Sequence, residues 1–317
     1  INGATWSDDV EGGTVFGCTD GDADNFNPDA NTDDGSCSGY QDNGDYSLSF
    51  DGEDDNVIIS TEGFSSGNEA TTMSAWFYRS EAVSGSAEYL ISYGDFSGQL
   101  FALGVYNGDY LFVTFDGPGY DAVSTTTVSV NTWHHAVVMH SGDGQVNIYF
   151  NGSLVHSADV NTPNVSLANG KIGSAIDGSQ VWNGKIDEVS IWNRVLTEEE
   201  IQNGLSSELS GDADGLQGYW KFDAEEGDIL YDHSGNSNHG EINGAAWNEE
   251  GYQAPTTAVT FSVNMRDMIE ENGDSLFSEG VFLAGGNIGE MADSSDEQTG
   301  FYMSDDDGDL IYEVTID

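Results

Sequence analysis

The sequence predicts an all-β protein, and three observations carry the prediction. Short aromatic and β-branched runs recur at regular spacing from about Tyr46 onward, and Gly, Asn and Asp stand between them. The 317 residues hold 41 Gly but only 4 Pro, and a single stretch reads as helix.

The strand signals come in order as YSLSF, NVIIS, TTMSAWFYR, EYLISY, QLFALGVY, DYLFVTF, WHHAVVMH, QVNIYF and SLVHS. Two joints read as hairpins: Asn107-Gly108 and Asn151-Gly152 each stand between alternating runs, the pair that a type I′ turn favours because both central residues need positive φ. The helix is LTEEEIQNG, with Thr197 as N-cap, Glu200 three residues on and Asn203-Gly204 as the stop. After Pro255 the runs AVTFSVNM, GVFLAGG, GFYMS and LIYEVTI read as strands of a second, partial β domain. INGATW at 1–6 returns as INGAAW at 242–247, so the chain reads as a stretch of a longer modular protein that opens on the tail of a preceding unit.

Charge narrows the function classes. Six Lys and Arg stand against 57 Asp and Glu, a net charge of -51. No basic patch can be assembled for nucleic acid or an anionic lipid surface, and divalent cations are the natural counter-charge. A hydrophobic content of 37% still leaves material for a core, and no apolar run is long enough to span a membrane.

Acidity is densest in GCTDGDADNFNPDANTDDGSC, residues 17–37, which holds both cysteines of the chain. Two Cys bracketing one segment suit an oxidising exterior and predict a Cys18–Cys37 disulfide. Asp20, Asp22, Asp24, Asp29, Asp33 and Asp34 offer hard oxygens to a Ca²⁺, which takes about six to eight of them. The fit to an EF-hand loop is poor, because Asn25 stands where that loop needs Gly. The alternative is a solvated acidic spacer closed by the cysteines.

YSLSFDGEDDNVIIS, TMSAWFYR, WHHAVVMHSGDGQVNIYFNGSLV, KIGS and WNGKIDEVSIWNRVLTEEEIQ, in that order over residues 46 to about 203, resemble the laminin-G-like domains of the concanavalin A-like lectin/glucanase superfamily. GLQGYWKFDAEEGDILYDHSGNSNHGEINGAAW is similar to a strand pair that accompanies such domains, and would either complete this sandwich or be donated to a neighbour. The opening segment resembles a GCTD…DDGSC repeat of secreted bacterial proteins, and residues 258–317 are similar to the start of starch-binding-like sandwiches. The resemblance implies a concanavalin A-like jelly-roll sandwich. It also implies a calcium held near the FDG turn by Asp51, the Gly52 carbonyl, Asp54 or Asp55, and Asp187. Strand alternation through GKIDEVSIW supports Asp187 by placing it inward, where a carboxylate needs a cation or several donors; backbone N–H groups of a turn are the competing partners.

Aromatic residues near turns offer stacking surfaces for sugar rings, and Tyr93, Tyr106, Tyr110 and Trp182 are the ligand-binding candidates. Trp76, Trp133 and Trp192 lie inside strands and read as packing. Catalysis is the weaker reading, because an E-x-D-x-x-E strand is absent and Asp187 and Glu188, being adjacent, would point to opposite faces.

The expected organisation is a tail at 1–15, a Cys-bounded acidic repeat at 16–39, a laminin-G-like sandwich at 40–254 including the segment 216–247, and a partial second β-sandwich at 255–317. The expected role is a non-catalytic, calcium-stabilised array at the bacterial surface or beyond it, binding cell-surface or environmental polysaccharide. The alternatives are a structural subunit or spacer of a surface fibre, joined to neighbours by strand exchange, and accessory modules of a secreted polysaccharide-degrading enzyme.

Overall fold

Among the described residues, sixteen strands and one short helix build the larger unit. The computed structural model describes residues 14–83, 85–96 and 99–253, together with the backbone of four strands between residues 259 and 316. The chain divides into two units, residues 1–254 and 255–317.

In the larger unit the strands are β1 (Ser47–Asp51), β2 (Asn56–Ile59), β3 (Thr71–Arg79), β4 (Ala87–Asp95), β5 (Gln99–Tyr106), β6 (Tyr110–Thr114), β7 (Asp121–Thr127) and β8 (Trp133–His140). They continue as β9 (Gln145–Phe150), β10 (Ser153–Asp159), β11 (Asn169–Ile172), β12 (Asn183–Trp192), β13 (Leu216–Trp220), β14 (Ile229–Leu230), β15 (Gly240–Asn243) and β16 (Ala246–Asn248), with helix α1 (Glu198–Asn203) after β12. One sheet runs β10-β9-β8-β3-β12-β1-β16, with β13 also paired to β12; the other runs β14-β15-β2-β11-β4-β5-β6-β7.

Period-2 alternation closes the two sheets into a jelly-roll sandwich. Leu48, Phe50, Met73, Phe77 and Val138 from the first sheet meet Ile91, Phe101, Leu103, Val113 and Ile172 from the second in one buried cluster. The outer face of the first sheet carries its own apolar layer, in which Val137, Met139, Trp192 and Tyr219 pack beneath Ile201 of α1. That helix begins as its sequence requires: Thr197 accepts from the Glu200 N–H and the Glu200 carboxylate accepts from the Thr197 N–H, a complete capping box.

One of the two expected hairpins has the expected turn. Asn151 and Gly152 take φ of 46° and 77° between the paired residues Phe150 and Ser153. In the other, Tyr106 pairs with Tyr110 across three residues, and Gly108 and Asp109 take the left-handed conformation rather than Asn107 and Gly108. The extra residue is Asp109, whose carboxylate accepts from Arg79 and from the Val83 N–H, so the longer loop anchors a buried guanidinium.

The segment 216–247 completes its own sandwich. β13 pairs with β12, β15 with β2, and β16 with β1. This corrects the expectation of strand exchange through that segment, since its strands are already paired within the chain.

In the second unit β17 (Val259–Asn264) pairs with β20 (Ile311–Ile316), and β18 (Val281–Leu283) with β19 (Phe301–Met303), both antiparallel. The remainder of the partial sandwich expected there lies outside the described residues, as do residues 1–13. Among the described residues no helix is long and apolar enough to cross a membrane.

Candidate functional site

Three carboxylates meet at the corner between β1 and β2. Asp51 ends β1, Gly52 turns the chain with φ of 80°, and Asp54 and Asp55 lead into β2. One oxygen from each of Asp51, Asp54 and Asp55 lies within 4.8 Å of the others. The turn is held from inside, because the Asp55 carboxylate accepts from the Asp51 N–H at 2.8 Å and that of Asp51 from the Glu53 N–H at 2.8 Å. Burial first, and then repulsion by Asp51 and Asp54, raise the Asp55 pKa against the backbone hydrogen bond from Asp51, which lowers it. Among the described residues no ion pair reaches any of the three carboxylates.

The same corner explains the INGAAW stretch. It carries the chain from β15 of the second sheet to β16 of the first, and its Gly244, with φ of 83°, lies so close that a Cβ would stand 2.1 Å from the Asp55 carboxylate oxygen. Only Gly permits that approach. The donor set, hard carboxylate oxygens without a counter-charge, fits Ca²⁺.

Asp187 does not join this cluster. A bulge between Asp187 and Ser190, with Glu188 at φ of 49°, reverses the alternation along β12, so that Ile186, Val189 and Ile191 all reach the core. Asp187 stands opposite Trp76 on the outer face, and its carboxylate accepts from the N–H groups of Tyr252 (2.6 Å) and Glu188 (2.9 Å). The inward placement expected from alternation is therefore corrected, and the competing partners, backbone N–H groups, hold the carboxylate. Burial, and then the neighbouring Glu188, push its pKa well above the ordinary carboxylate range. Glu188 lies on the outer face as well, which also corrects the expectation that the two carboxylates point to opposite faces.

The acidic segment is closed by the expected disulfide between Cys18 and Cys37. Its carboxylates do not converge, however, since Asp51, Asp54 and Asp55 form the one such cluster among the described residues. Asp22, Asp24, Asp29, Asp33 and Asp34 are exposed, and Asp33 and Asp34 accept from the N–H groups of Gly35 and Ser36, two residues on. Such local Asx turns satisfy the backbone without a cation. Asp20 turns inward to accept from the Tyr40 hydroxyl (2.9 Å) and His239 Nε2 (2.6 Å), which fastens the loop to the sandwich. Among the described residues the segment thus forms no converging carboxylate cluster, and its one partly buried carboxylate is engaged by Tyr40 and His239.

The aromatic candidates separate by exposure. Tyr93 and Trp182 are 0% exposed; the Tyr93 hydroxyl donates to the Ser65 carbonyl and Trp182 packs edge-on to Phe77. Neither ring can stack on a sugar, so both are corrected to core residues. Tyr106 is 44% exposed and stands opposite the half-buried Tyr110 at the β5–β6 hairpin, on the outer face of the second sheet that also carries Phe112. Proximity to a turn is common to all four residues, which is why the sequence alone did not separate them.

Residues 51–202 match the family model described as the concanavalin A-like lectin/glucanases superfamily. The larger unit has a concanavalin A-like fold. Among solved structures the domain is similar to a candidate carbohydrate-binding protein from Bacteroides ovatus, with a TM-score of 0.54 at 19% identity over 68% of this chain and 62% of that one. This chain therefore spans less than two thirds of that relative. A heptameric SAP-like pentraxin from Limulus polyphemus gives a TM-score of 0.44 at 14% identity, over 67% of this chain and 98% of that one. The CBM40 module of a Ruminococcus gnavus IT-sialidase, bound to α2,3-sialyllactose, gives 0.40 at 13% identity, over 49% of this chain and 95% of that one. No curated protein sequence matches the chain.

Proposed function

We propose that the concanavalin A-like domain is a non-catalytic glycan-binding module of a secreted or surface-displayed protein, with Ca²⁺ seated on the β1–β2 corner. The observation that carries this reading is the convergence of Asp51, Asp54 and Asp55 with no counter-charge among the described residues. The Bacteroides ovatus protein of the same fold is described as carbohydrate-binding, and the same role is the simplest one for this chain. An ion there would join the two sheets at the place where β1 leaves one and β2 enters the other. Tyr106 and Tyr110, the expected stacking residues that retain exposure, would meet a sugar ring on the outer face of the second sheet.

The test is capture of the full chain by immobilised polysaccharides in millimolar calcium, with D51N/D54N and Y106A variants beside it. Saturable capture that chelator and D51N/D54N abolish, and that Y106A weakens, supports the reading. Absence of capture in either buffer favours the structural-spacer alternative.

A further inference from the structure

A pocket of about 310 Å³ opens on the outer face of the first sheet, between the sheet, helix α1 and the loop that follows it. That volume lies at the small end of the roughly 300–1,000 Å³ range of small-molecule sites. Its inner wall is apolar: Val137, Trp192, Leu196 and Ile201 belong to the outer apolar layer, and the half-buried Leu209 packs against them. Its mouth is polar, with the exposed residues Asn203, Ser207 and Ser210.

Glu188 lines this pocket as a neutral acid. The basic groups near it are already engaged, Arg194 by both oxygens of Glu200 at 2.9 and 2.6 Å and Lys221 by Asp42 at 3.0 Å and Glu208 at 2.6 Å. A carboxyl sunk in such surroundings without a counter-charge keeps its proton, and burial pushes the Glu188 pKa up to about 8. The Tyr219 oxygen accepts from the Leu209 N–H at 3.4 Å, and its own hydrogen goes to Glu188 Oε2 at 2.5 Å. With Oε2 accepting, the carboxyl proton belongs to Oε1, so Glu188 brings the pocket a hydrogen-bond donor rather than a charge. Glu200, Glu208 and Asp214, which also line it, repel anions.

We infer that this pocket takes the acetamido group of an N-acetylated sugar: its carbonyl accepts from the Glu188 carboxyl, its methyl lies against Val137, Leu196 and Ile201, and the sugar ring stays at the mouth beside Asn203, Ser207 and Ser210. A carbonyl only accepts, which matches a site that offers a donor among apolar walls. A sugar hydroxyl in its place would bring a hydrogen of its own, and those walls would leave it buried without a partner. The ammonium of a free amino sugar finds no ionised carboxylate on the inner wall, and a sugar acid meets the negative charge around it. The pocket is separate from the β1–β2 corner, and the choice of a sugar to carry the acetamido group rests on the glycan-binding reading.

The test uses the full chain in millimolar calcium, titrated with N-acetyl-D-glucosamine, D-glucose and D-glucosamine at pH 6 and pH 9 and followed by tryptophan fluorescence and calorimetry, with circular dichroism to check folding at each pH. At pH 6 N-acetylglucosamine is expected to bind at least about tenfold more tightly than either other sugar. At pH 9 about one chain in ten keeps the Glu188 proton, so wild-type binding should weaken about tenfold. E188Q, whose amide oxygen accepts from Tyr219 while its nitrogen donates at either pH, should bind equally at both. L209W, which fills the pocket, should bind at neither. Equal binding of the three sugars, no saturable binding of N-acetylglucosamine, equal wild-type binding at the two pH values, loss of binding in E188Q at pH 6, or full binding by L209W would each overturn the inference. Polysaccharide capture by the same preparation reports on the glycan-binding reading alone, so capture without this selectivity refutes the inference and leaves that reading standing.

Discussion

Replacing Glu188 by Gln should make the larger unit less sensitive to alkaline pH. Burial, and after it the charges of Asp223 and Glu208, outweigh the Tyr219 hydrogen bond and Lys221 and push the Glu188 pKa up to about 8. The folded chain therefore retains a proton that the unfolded chain has lost above its ordinary carboxylate pKa. A raised folded pKa stabilises fully below the unfolded value, and that contribution is lost as pH climbs through the folded one. Each pH unit in that window costs about 1.4 kcal/mol, so between pH 5 and pH 7 wild type should lose about 2–3 kcal/mol more stability than E188Q. Urea unfolding followed by tryptophan fluorescence at pH 5, 6, 7 and 8 measures this. All seven tryptophans lie before residue 254, so the signal reports the larger unit. The expected curves diverge upward in pH, with the variant more stable at pH 7 and nearly equal at pH 5. Parallel curves would refute the burial argument for Glu188.

Gly244→Ala should destabilise the fold by on the order of 1–3 kcal/mol and weaken calcium binding in calorimetry, because the added Cβ meets the Asp55 carboxylate and the residue has positive φ. His239→Ala should free the Cys-bounded loop, which limited proteolysis between Cys18 and Cys37 would detect, while the disulfide stays formed. The clasp should also weaken in acid. Burial pulls the Asp20 pKa upward, but hydrogen bonds from Asp22, His239 and Tyr40 leave it below the ordinary value. That contribution is present above the unfolded pKa and is lost as pH falls through the folded one, so the loop should become protease-sensitive only below about pH 4.

What was legible in the sequence was local. The sandwich followed from strand-length runs and turn residues, and Thr197 with Glu200 announced the helix because a capping box spans only four residues. The disulfide was readable because two cysteines leave one intramolecular pairing. What escaped was set by tertiary contacts or by a single backbone irregularity. Asp187 was placed on the wrong face because alternation presumes an unbroken ladder, and the bulge after it reverses the parity. Tyr93 and Trp182 stand near turns yet fill the core, since nearness to a turn does not fix the direction of a ring. The role of Asp20 depends on His239, 219 residues away, which spacing within the acidic loop cannot show.

The central claim is that calcium on the β1–β2 corner supports glycan binding, and the most direct measurement is polysaccharide capture by wild type and D51N/D54N in millimolar calcium and in chelator. The account predicts saturable capture by wild type in calcium, lost in chelator and absent in the variant under both conditions. Capture that is equal in both buffers and unchanged in the variant would contradict it.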